Sequence, residues 1–353
     1  MSEARADRLA ALAAERELDS VLVTSLAHVR YLTGYTGDNG IALVGREERL
    51  FWTDFRYIAQ VEEEVQGFER LRGKQDLLAD VAPRLSGRVG FDDANLTVKQ
   101  HRRLEELASD VELVPAGGLV ERLREVKDEG ELRAIREAVR LADSVIEELG
   151  DRGLAGRTER EVAVWLERGM VDRGAERVSF PPIVAAGAHG ALPHAVPRDV
   201  EIPPDTLVVV DWGCVLDGYC SDCTRTFATG DPGAEARDVY ELVRASQAEA
   251  REAVRAGADC RAVDSVARDR ITEAGHGDDF GHGLGHGVGL EVHEEPRLSP
   301  LANGELRAGN TVTVEPGVYV QGSFGVRIED LVVVTEDGCG VLSGFTKELV
   351  TLS

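Results

Sequence analysis

Two aspartates eleven positions apart lie at the ends of apolar segments in the middle of the chain. A short β-branched run before Asp211 predicts a buried strand, and Asp217-Gly218 predicts a tight turn into a returning strand that carries Asp222. With the turn centred between Asp217 and Gly218, Asp211 pairs with Thr224, so the Asp211 and Asp222 side chains project from one face. Two buried carboxylates this close require protonation of one or a bound cation, although a solvated hairpin end with two unrelated acids is the alternative.

Three of the eight histidines lie in one glycine-rich segment, FGHGLGHGVGLEVHE, at residues 280–294. Its glycines disfavour a helix, so His282 and His286 do not form the zincin arrangement, which needs a helix to place two histidines on one face. The segment also lacks the spacing of a dinucleotide-binding loop or a Walker phosphate loop. A single histidine here would be a hydrogen-bonded loop residue, but the concentration of His282, His286 and His293 favours a functional site.

Two further carboxylates lie within apolar runs near the C-terminus. Glu315 interrupts TVTVEPGVYV at residues 311–320, and Glu329 follows Arg327 in FGVRIEDLVVV, the predicted hairpin partner at residues 324–334. Strand alternation places Arg327 and Glu329 on one face, opposite the apolar side chains. A surface Arg–Glu pair is the alternative, but an unpaired carboxylate inside an apolar strand is costly, which favours a site.

The summed set is two Asp, two Glu and one or more His. Such a set suits hard or borderline divalent ions, with Mn²⁺, Co²⁺ and Zn²⁺ as candidates, better than thiolate-loving ions. Four carboxylates exceed what one ion needs, which predicts two metal ions sharing bridging ligands. Two such ions can lower the pKa of a bridging water from about 15.7 toward neutrality and polarise a carbonyl, so the expected reaction is metal-assisted hydrolysis.

The first 120 or so residues alternate short β and α patterns, which predicts a compact α/β domain. No cluster of catalytic residue types occurs there, so support, gating or oligomerisation is its expected role. We place the boundary near Glu125, which gives predicted domains at residues 1–124 and 125–353. The predicted strands are residues 20–24, 29–32, 41–44, 50–53, 88–91 and 111–114, and the predicted helices are residues 3–17, 77–85 and 97–107.

The second domain places helices on both sides of the aspartate hairpin. The predicted helices are residues 121–150, 158–173, 238–256 and 262–274, with Thr158 and Glu161 forming a capping box. The predicted order is two helices, a hairpin, two helices and further strands. This order predicts an internally duplicated half-domain. The fold class expected for the whole chain is α/β (α+β).

Composition excludes several classes of protein. The 353 residues carry a formal net charge of −24, which argues against a nucleic-acid partner and favours the recruitment of cations. The N-terminus lacks the apolar region of a signal peptide and no run of about 18 apolar residues occurs, so we expect a soluble cytoplasmic protein. The five cysteines show no disulfide framework, and we interpret Cys214, Cys220 and Cys223 as strand residues beside a core rather than a zinc or redox site.

The motif set closely resembles the pita-bread metallopeptidases, the family of creatinase, aminopeptidase P and prolidase. The carrying motifs are DWG…SDCTRTF, HGLGHGVGLEVHE, TVEPGVY and VRIED. YLTGYTGDNG and WTDFRYIAQ resemble the creatinase-type N-terminal domain, and LREVKDEGELRAIREA resembles the helix that opens the catalytic domain. The resemblance covers nearly the whole chain, and the Xaa-Pro peptidase branch is the most similar.

The resemblance implies a role for each site residue. The five ligands of two metal ions would be Asp211, Asp222, His286, Glu315 and Glu329, with Asp222 and Glu329 bridging. His282 and His293 would contact substrate and stabilise the tetrahedral intermediate, His194 would lie on the substrate side, Arg327 would hold the proline-side end, and Glu315 would handle the proton beside a bridging hydroxide. It also implies a pseudo-twofold catalytic domain and a homodimer. Of the candidate ions, we expect Mn²⁺, with Co²⁺ and Zn²⁺ as alternatives.

Several functions are compatible with this set. The leading expectation is cleavage of the bond before proline, in dipeptides or at the N-terminus of longer peptides. A methionine aminopeptidase is disfavoured, because those enzymes resemble only the catalytic part of the chain. A hydrolase of another small amide and a non-catalytic binding protein are the remaining alternatives, and the intact ligand set argues against the last.

Overall fold

The computed structural model describes residues 2–353, and the chain divides into two compact units between Arg124 and Glu125. No helix in the described range combines the length and apolar character that crossing a lipid bilayer requires. All five cysteines are free, and Cys214, Cys220 and Cys223 are buried on strands, as the sequence predicts.

The first unit is built on one mixed six-stranded sheet in the order β4-β3-β2-β1-β5-β6. β2 pairs antiparallel with β1 and β3, whereas β1 with β5, β5 with β6 and β3 with β4 are parallel. The strands are β1 Ser20–Val23, β2 Ile41–Gly45, β3 Arg49–Thr53, β4 Glu69–Arg72, β5 Arg88–Phe91 and β6 Glu112–Pro115, and the helices are α1 Ser2–Glu15, α2 Leu26–Thr33, α3 Ile58–Glu64, α4 Leu77–Val81, α5 Val98–Leu107 and α6 Leu119–Glu125.

One predicted strand of this unit is wrong. Residues 29–32 lie within α2, which buries His28, Val29, Tyr31 and Leu32 and ends at Gly34 with φ +84°. A short apolar run is ambiguous between a strand and a buried helix, and here the glycine supplies the left-handed conformation that ends a helix.

The second unit contains five α-helices and thirteen strands among its residues. The helices are α7 Glu129–Ile146, α8 Leu149–Arg152, α9 Glu159–Asp172, α10 Ala234–Ala253 and α11 Cys260–Glu273; the strands are β7 Arg177–Val178, β8 Ile183–Ala186, β9 Leu207–Trp212, β10 Cys214–Leu216, β11 Tyr219–Cys220, β12 Cys223–Ala228, β13 Gly285–Gly287, β14 Glu294–Leu298, β15 Thr311–Val314, β16 Gly317–Val320, β17 Phe324–Arg327, β18 Asp330–Val334 and β19 Cys339–Val341. One apolar core packs α7 and α9 on β8, β9 and β12, and another packs α10 and α11 on β14, β15 and β18.

The predicted helix over residues 121–150 is interrupted, because Asp128 starts a new helix. Its carboxylate accepts hydrogen bonds from the backbone N–H groups of Gly130 and Glu131, and the Glu131 side chain accepts from the Asp128 N–H. This reciprocal cap satisfies N–H groups that have no partner within a helix. The capping box of Thr158 and Glu161 forms as predicted.

The predicted continuous strands of the two hairpins are each interrupted, and three of the four interruptions contain a carboxylate, Asp222, Glu315 or Glu329. β15 pairs with β18, whereas β16 pairs with β17, so the chain changes sheets at Glu315-Pro316 and at Ile328-Glu329. The aspartate hairpin changes sheets in the same way, at Gly213 and at Asp222. Proline lacks the N–H that would continue a ladder, and a Cβ on Gly213 would lie 2.1 Å from the Ser221 carbonyl oxygen, so both residues favour the breaks.

Asp143 of α7 makes stability depend on pH. Its Oδ2 accepts from the Gly344 N–H at 2.6 Å, and burial raises the pKa of this carboxyl from 3.8 to about 6. As pH rises from about 4 to about 6, the unfolded chain releases the Asp143 proton before the folded protein does. The free energy of unfolding therefore falls across this range, and the full decrease is reached above it. Asp143→Asn is expected to gain stability relative to wild type across this window, by at most about 3 kcal/mol. Urea unfolding at pH 4 and pH 7, with exposed Asp151→Asn as control, tests this. An equal difference in free energy of unfolding between Asp143→Asn and wild type at both pH values would contradict it.

Candidate metal centre

All nine site residues expected from the sequence line one cavity of about 550 Å³ within the second unit. The set is His194, Asp211, Asp222, His282, His286, His293, Glu315, Arg327 and Glu329. They come from β9, from β17, from the strand breaks, from the glycine-rich segment and, for His194, from the segment that precedes β9. The fold therefore brings together the carboxylates and histidines whose spacing first indicated a site.

The aspartates are placed by the register of the central hairpin. Thr224 pairs with Asp211 across β12 and β9, as predicted, and Asp222 directly precedes β12. Both aspartates are buried. Asp211 Oδ2 accepts from Arg327 Nη2 at 2.7 Å, while Asp211 Oδ1 has no hydrogen-bond partner among residues 2–353.

Two threonines orient the glutamates. Thr224 Oγ1 donates to Glu329 Oε2 at 2.8 Å, and Thr313 Oγ1 donates to Glu315 Oε1 at 3.0 Å. Glu329 is buried, and its second oxygen, Oε1, is unpartnered within the described chain. The sequence analysis did not identify either threonine as a supporting residue. Thr224 lies two positions after Asp222 and opposite Asp211, and Thr313 lies two positions before Glu315.

His286 presents one ring nitrogen to the carboxylates. Its Nδ1 lies 3.1 Å from the Gly287 carbonyl oxygen, which can only accept, so the Nδ1 proton is held there. Its Nε2 lies 3.6 Å from Asp222 Oδ2 and 3.2 Å from Glu315 Oε1. In the neutral ring this tautomer leaves Nε2 available to a metal ion, whereas in the protonated ring Nε2 donates to Glu315 instead.

Arg327 is fixed from all sides by its hydrogen bonds. Nε donates to Thr224 Oγ1 at 3.0 Å, Nη1 donates to the Pro193 carbonyl and to the Tyr319 hydroxyl, each at 3.0 Å, and Nη2 donates to Asp211. The guanidinium is buried, so these bonds are made in a medium of low dielectric constant. Nε, Nη1 and Nη2 of Arg327 therefore all donate hydrogen bonds within the protein.

Tyr319 links Arg327 to His282 and was missed from the sequence. Its hydroxyl accepts from Arg327 and lies 2.9 Å from His282 Nε2, while His282 Nδ1 lies 2.7 Å from the Gly283 carbonyl. Both nitrogens of His282 are therefore engaged. The rings of His194 and His293 are exposed to the cavity, and the His293 ring packs edge-on against His286 with 4.4 Å between centroids.

The charges of the cavity do not balance. Four buried or half-buried carboxylates, Asp211, Asp222, Glu315 and Glu329, share the cavity with two arginines, the buried Arg327 and the exposed Arg297. Burial and the neighbouring carboxylates raise the pKa of Asp222 and of Glu329 well above the usual range, whereas the hydrogen bond and charge of His286 outweigh burial and lower the pKa of Glu315 to about 2.

The donor set therefore fits divalent cations. One ligand atom each from Asp222, His286 and Glu329 lie within 4.8 Å of one another. The unpartnered Asp211 Oδ1 and Glu329 Oε1 add two buried oxygens that a cation would satisfy. Cations bound here would offset the excess negative charge that makes ionising Asp222 and Glu329 unfavourable.

Comparison with known proteins agrees with this chemistry. Residues 133–336 match the model of Metallopeptidase family M24, and residues 5–126 match the model of the Creatinase/Prolidase N-terminal domain. The chain belongs to metallopeptidase family M24. The family resemblance expected from the motifs and the expected fold class are thus confirmed.

Individual relatives of this metallopeptidase match along its full length. A Pyrococcus furiosus Xaa-Pro dipeptidase is 34% identical over 351 residues, covering 98% of this chain and 99% of the relative. The structure of an Xaa-Pro dipeptidase from Bacillus anthracis matches with a TM-score of 0.97 and 36% identity over 100% of both chains. An X-Pro aminopeptidase from Thermotoga maritima matches with a TM-score of 0.88 and 34% identity over 96% of this chain and 99% of that one.

Proposed function

We propose that this metallopeptidase hydrolyses the peptide bond before proline, with two divalent cations held by Asp211, Asp222, His286, Glu315 and Glu329. The observation that carries the proposal is the surplus of buried carboxylates over fixed cations in the cavity. The activities of the Xaa-Pro relatives support the choice of substrate. The oxygen-rich donor set favours Mn²⁺, with Co²⁺ and Zn²⁺ as the alternatives.

The side chains divide the work around the cations. Two bound divalent cations would supply a water that loses its proton near neutral pH and an electrophilic partner for the scissile carbonyl. We assign uptake of that proton to Glu315, whose Oε1 is oriented by the Thr313 hydroxyl and which His286 no longer protonates or pairs with once Nε2 binds a cation. We assign to His293, exposed to the cavity beside His286, a hydrogen bond to the oxygen of the tetrahedral intermediate, and to His194, which also lines the cavity, a contact with the substrate.

Arg327 acts by positioning rather than by touching the substrate. Because its donors are committed to Asp211, Thr224, Tyr319 and Pro193, it orients one ligand carboxylate directly and His282 through Tyr319. This assignment differs from the proline-side contact that the family resemblance implies for Arg327.

Arg297 is the cation available to a substrate carboxylate. It lines the cavity with 43% of its side chain exposed, and its closest carboxylate partner, Glu295, lies 3.9 Å away. In an Xaa-Pro dipeptide the free carboxylate belongs to the proline itself, directly beside the scissile bond. An arginine fork suits a carboxylate, so this geometry favours dipeptides over longer peptides.

Hydrolysis of three peptides by the same preparation tests the proposal. Metal-stripped protein is assayed on Ala-Pro, Ala-Pro-Ala and Met-Ala-Ser, with and without added Mn²⁺. We expect Mn²⁺-dependent cleavage of Ala-Pro in preference to the other two. Preference for Ala-Pro-Ala would make the enzyme an aminopeptidase, release of Met would favour the methionine aminopeptidase alternative, and no cleavage of any peptide by metal-loaded protein would contradict the proposal.

Removal of the Arg297 charge is expected to act on substrates that carry a free carboxylate. Arg297→Met should lower kcat/KM for Ala-Pro by roughly 10- to 100-fold, the equivalent of one charged hydrogen bond of about 1.5–3 kcal/mol. Arg297→Lys keeps the charge and should lose less. Ala-Pro amide, which lacks the carboxylate, is the control substrate; an equal loss on the amide would contradict carboxylate recognition by Arg297.

A further inference from the structure

A second cluster of metal-ligating side chains lies within the first unit. His28 is on α2, Asp92 directly follows β5, and Glu121 is on α6. One nitrogen of His28 and one oxygen of each carboxylate lie within 4.8 Å of one another. His28 and Asp92 are only 2% and 7% exposed, so the cluster is largely shielded from water.

The contacts of the His28 ring are close but do not complete its hydrogen bonding. Nδ1 lies 3.0 Å from Asp92 Oδ2, and Nε2 lies 3.8 Å from Glu121 Oε1. Among residues 2–353 no hydrogen-bond partner is found for Nδ1, although Asp92 Oδ2 lies close enough to pair with a protonated ring. A cation held between Nδ1 and the carboxylates would complete the bonding of this buried nitrogen when the ring is neutral.

The distances match those between ligands of one small cation. Two ligand atoms at about 2.0 Å from a tetrahedral ion lie about 3.3 Å apart, close to the Nδ1–Oδ2 separation. Asp92 is held in place by the Ala94 N–H, which donates to Oδ1 at 3.2 Å, and by Asn95 Nδ2, which donates to Oδ2 at 2.7 Å. Such supporting bonds to a carboxylate are typical of metal ligands.

We propose that His28, Asp92 and Glu121 form a binding site for one borderline divalent cation, such as Zn²⁺ or Co²⁺, made only of residues of the first unit. The two carboxylates balance the charge of the ion, and three protein ligands leave one position for water. The side chain of Glu121 is 30% exposed and gives the ion a route of entry. The ion would link α2, the segment after β5 and α6, and so stabilise the first unit. This site does not depend on the proposed peptidase activity.

Cobalt binding by the full-length chain tests the proposal. Four metal-stripped proteins are dialysed against Co²⁺: wild type, His28→Gln, Asp222→Ala and the double variant His28→Gln/Asp222→Ala. Their metal content and visible absorption are then compared. We expect His28→Gln to bind one Co²⁺ fewer in both backgrounds and to lose the matching absorption band. His101→Gln, which replaces another histidine of the first unit, should keep the full content.

The alternative is an imidazolium held between two carboxylates with no metal. Equal Co²⁺ content with and without His28 would establish that alternative and overturn the site. If His28→Gln does not fold, Glu121→Gln provides the same comparison at a more exposed position, with the same expected loss. Hydrolysis of Ala-Pro is expected to be unchanged in either variant, so failure of this site and failure of the proposed activity are separable.

Discussion

Asp222→Ala is expected to abolish hydrolysis of Ala-Pro, lowering kcat/KM by about 10³-fold or more, and to reduce the metal content of the second unit. The physical reason is that Asp222 lies within ligand distance of both His286 and Glu329, so its loss removes a carboxylate from the centre of the donor set. Metal ions supply several kcal/mol of transition-state stabilisation in such reactions, which sets the scale of the loss. Activity and bound metal are measured on the same samples.

The fold of this variant should survive, because removing one of several mutually repelling carboxylates relieves a cost in the metal-free state. Asp269→Ala, at an exposed position on α11, is the matched control and should keep wild-type activity. Asp222→Asn keeps the size of the side chain and should fail almost as severely as alanine. Wild-type turnover in Asp222→Ala would contradict the ligand assignment.

Arg225→Met is expected to destabilise the second unit by about 3–5 kcal/mol, the usual effect of breaking a buried ion pair from one side. Arg225 is buried and its Nη2 lies 2.9 Å from Asp330 Oδ1, so methionine would leave Asp330 with Lys347 and Gln247 as its remaining partners. Nη1 also donates to the Glu329 carbonyl, which fixes the strand break that carries this ligand. Urea unfolding measures the stability change.

The same substitution should weaken metal binding, because Glu329 loses its backbone support. Arg225→Lys keeps the charge but not the planar fork, and is expected to fall between wild type and methionine in both stability and metal affinity. Methionine-variant stability within about 1 kcal/mol of wild type would show that Asp330 does not depend on Arg225.

The candidate ligands could be found from sequence because each is a local exception. Asp211, Glu315 and Glu329 are carboxylates in runs that are otherwise apolar, and such exceptions indicate a function or a partner. The pairing of Asp211 with Thr224 followed from the Asp217-Gly218 turn alone, whose two residues adopt φ values of +50° and +82°. Short-range rules were sufficient there.

The features that were missed depend on long-range packing. Residues 29–32 have an apolar pattern that fits both a strand and a helix, and only their packing in the folded unit shows that they belong to α2. The breaks at Glu315-Pro316 and Ile328-Glu329 interrupt one hairpin whose register is the same on both sides, with Val314 opposite Asp330 and Gly317 opposite Arg327. Neither strand's sequence alone indicates that interruption. Tyr319 resembles an ordinary strand tyrosine until the fold places it between Arg327 and His282.

Titration of metal-stripped protein with Mn²⁺, with Ala-Pro hydrolysis followed at each addition, tests the central claim most directly. We predict no hydrolysis in the presence of a chelator, recovery as Mn²⁺ fills the cavity, and no recovery in Asp222→Ala under the same conditions. Undiminished hydrolysis in the presence of the chelator, or a wild-type protein that binds two Mn²⁺ in the second unit and leaves Ala-Pro intact, would contradict it.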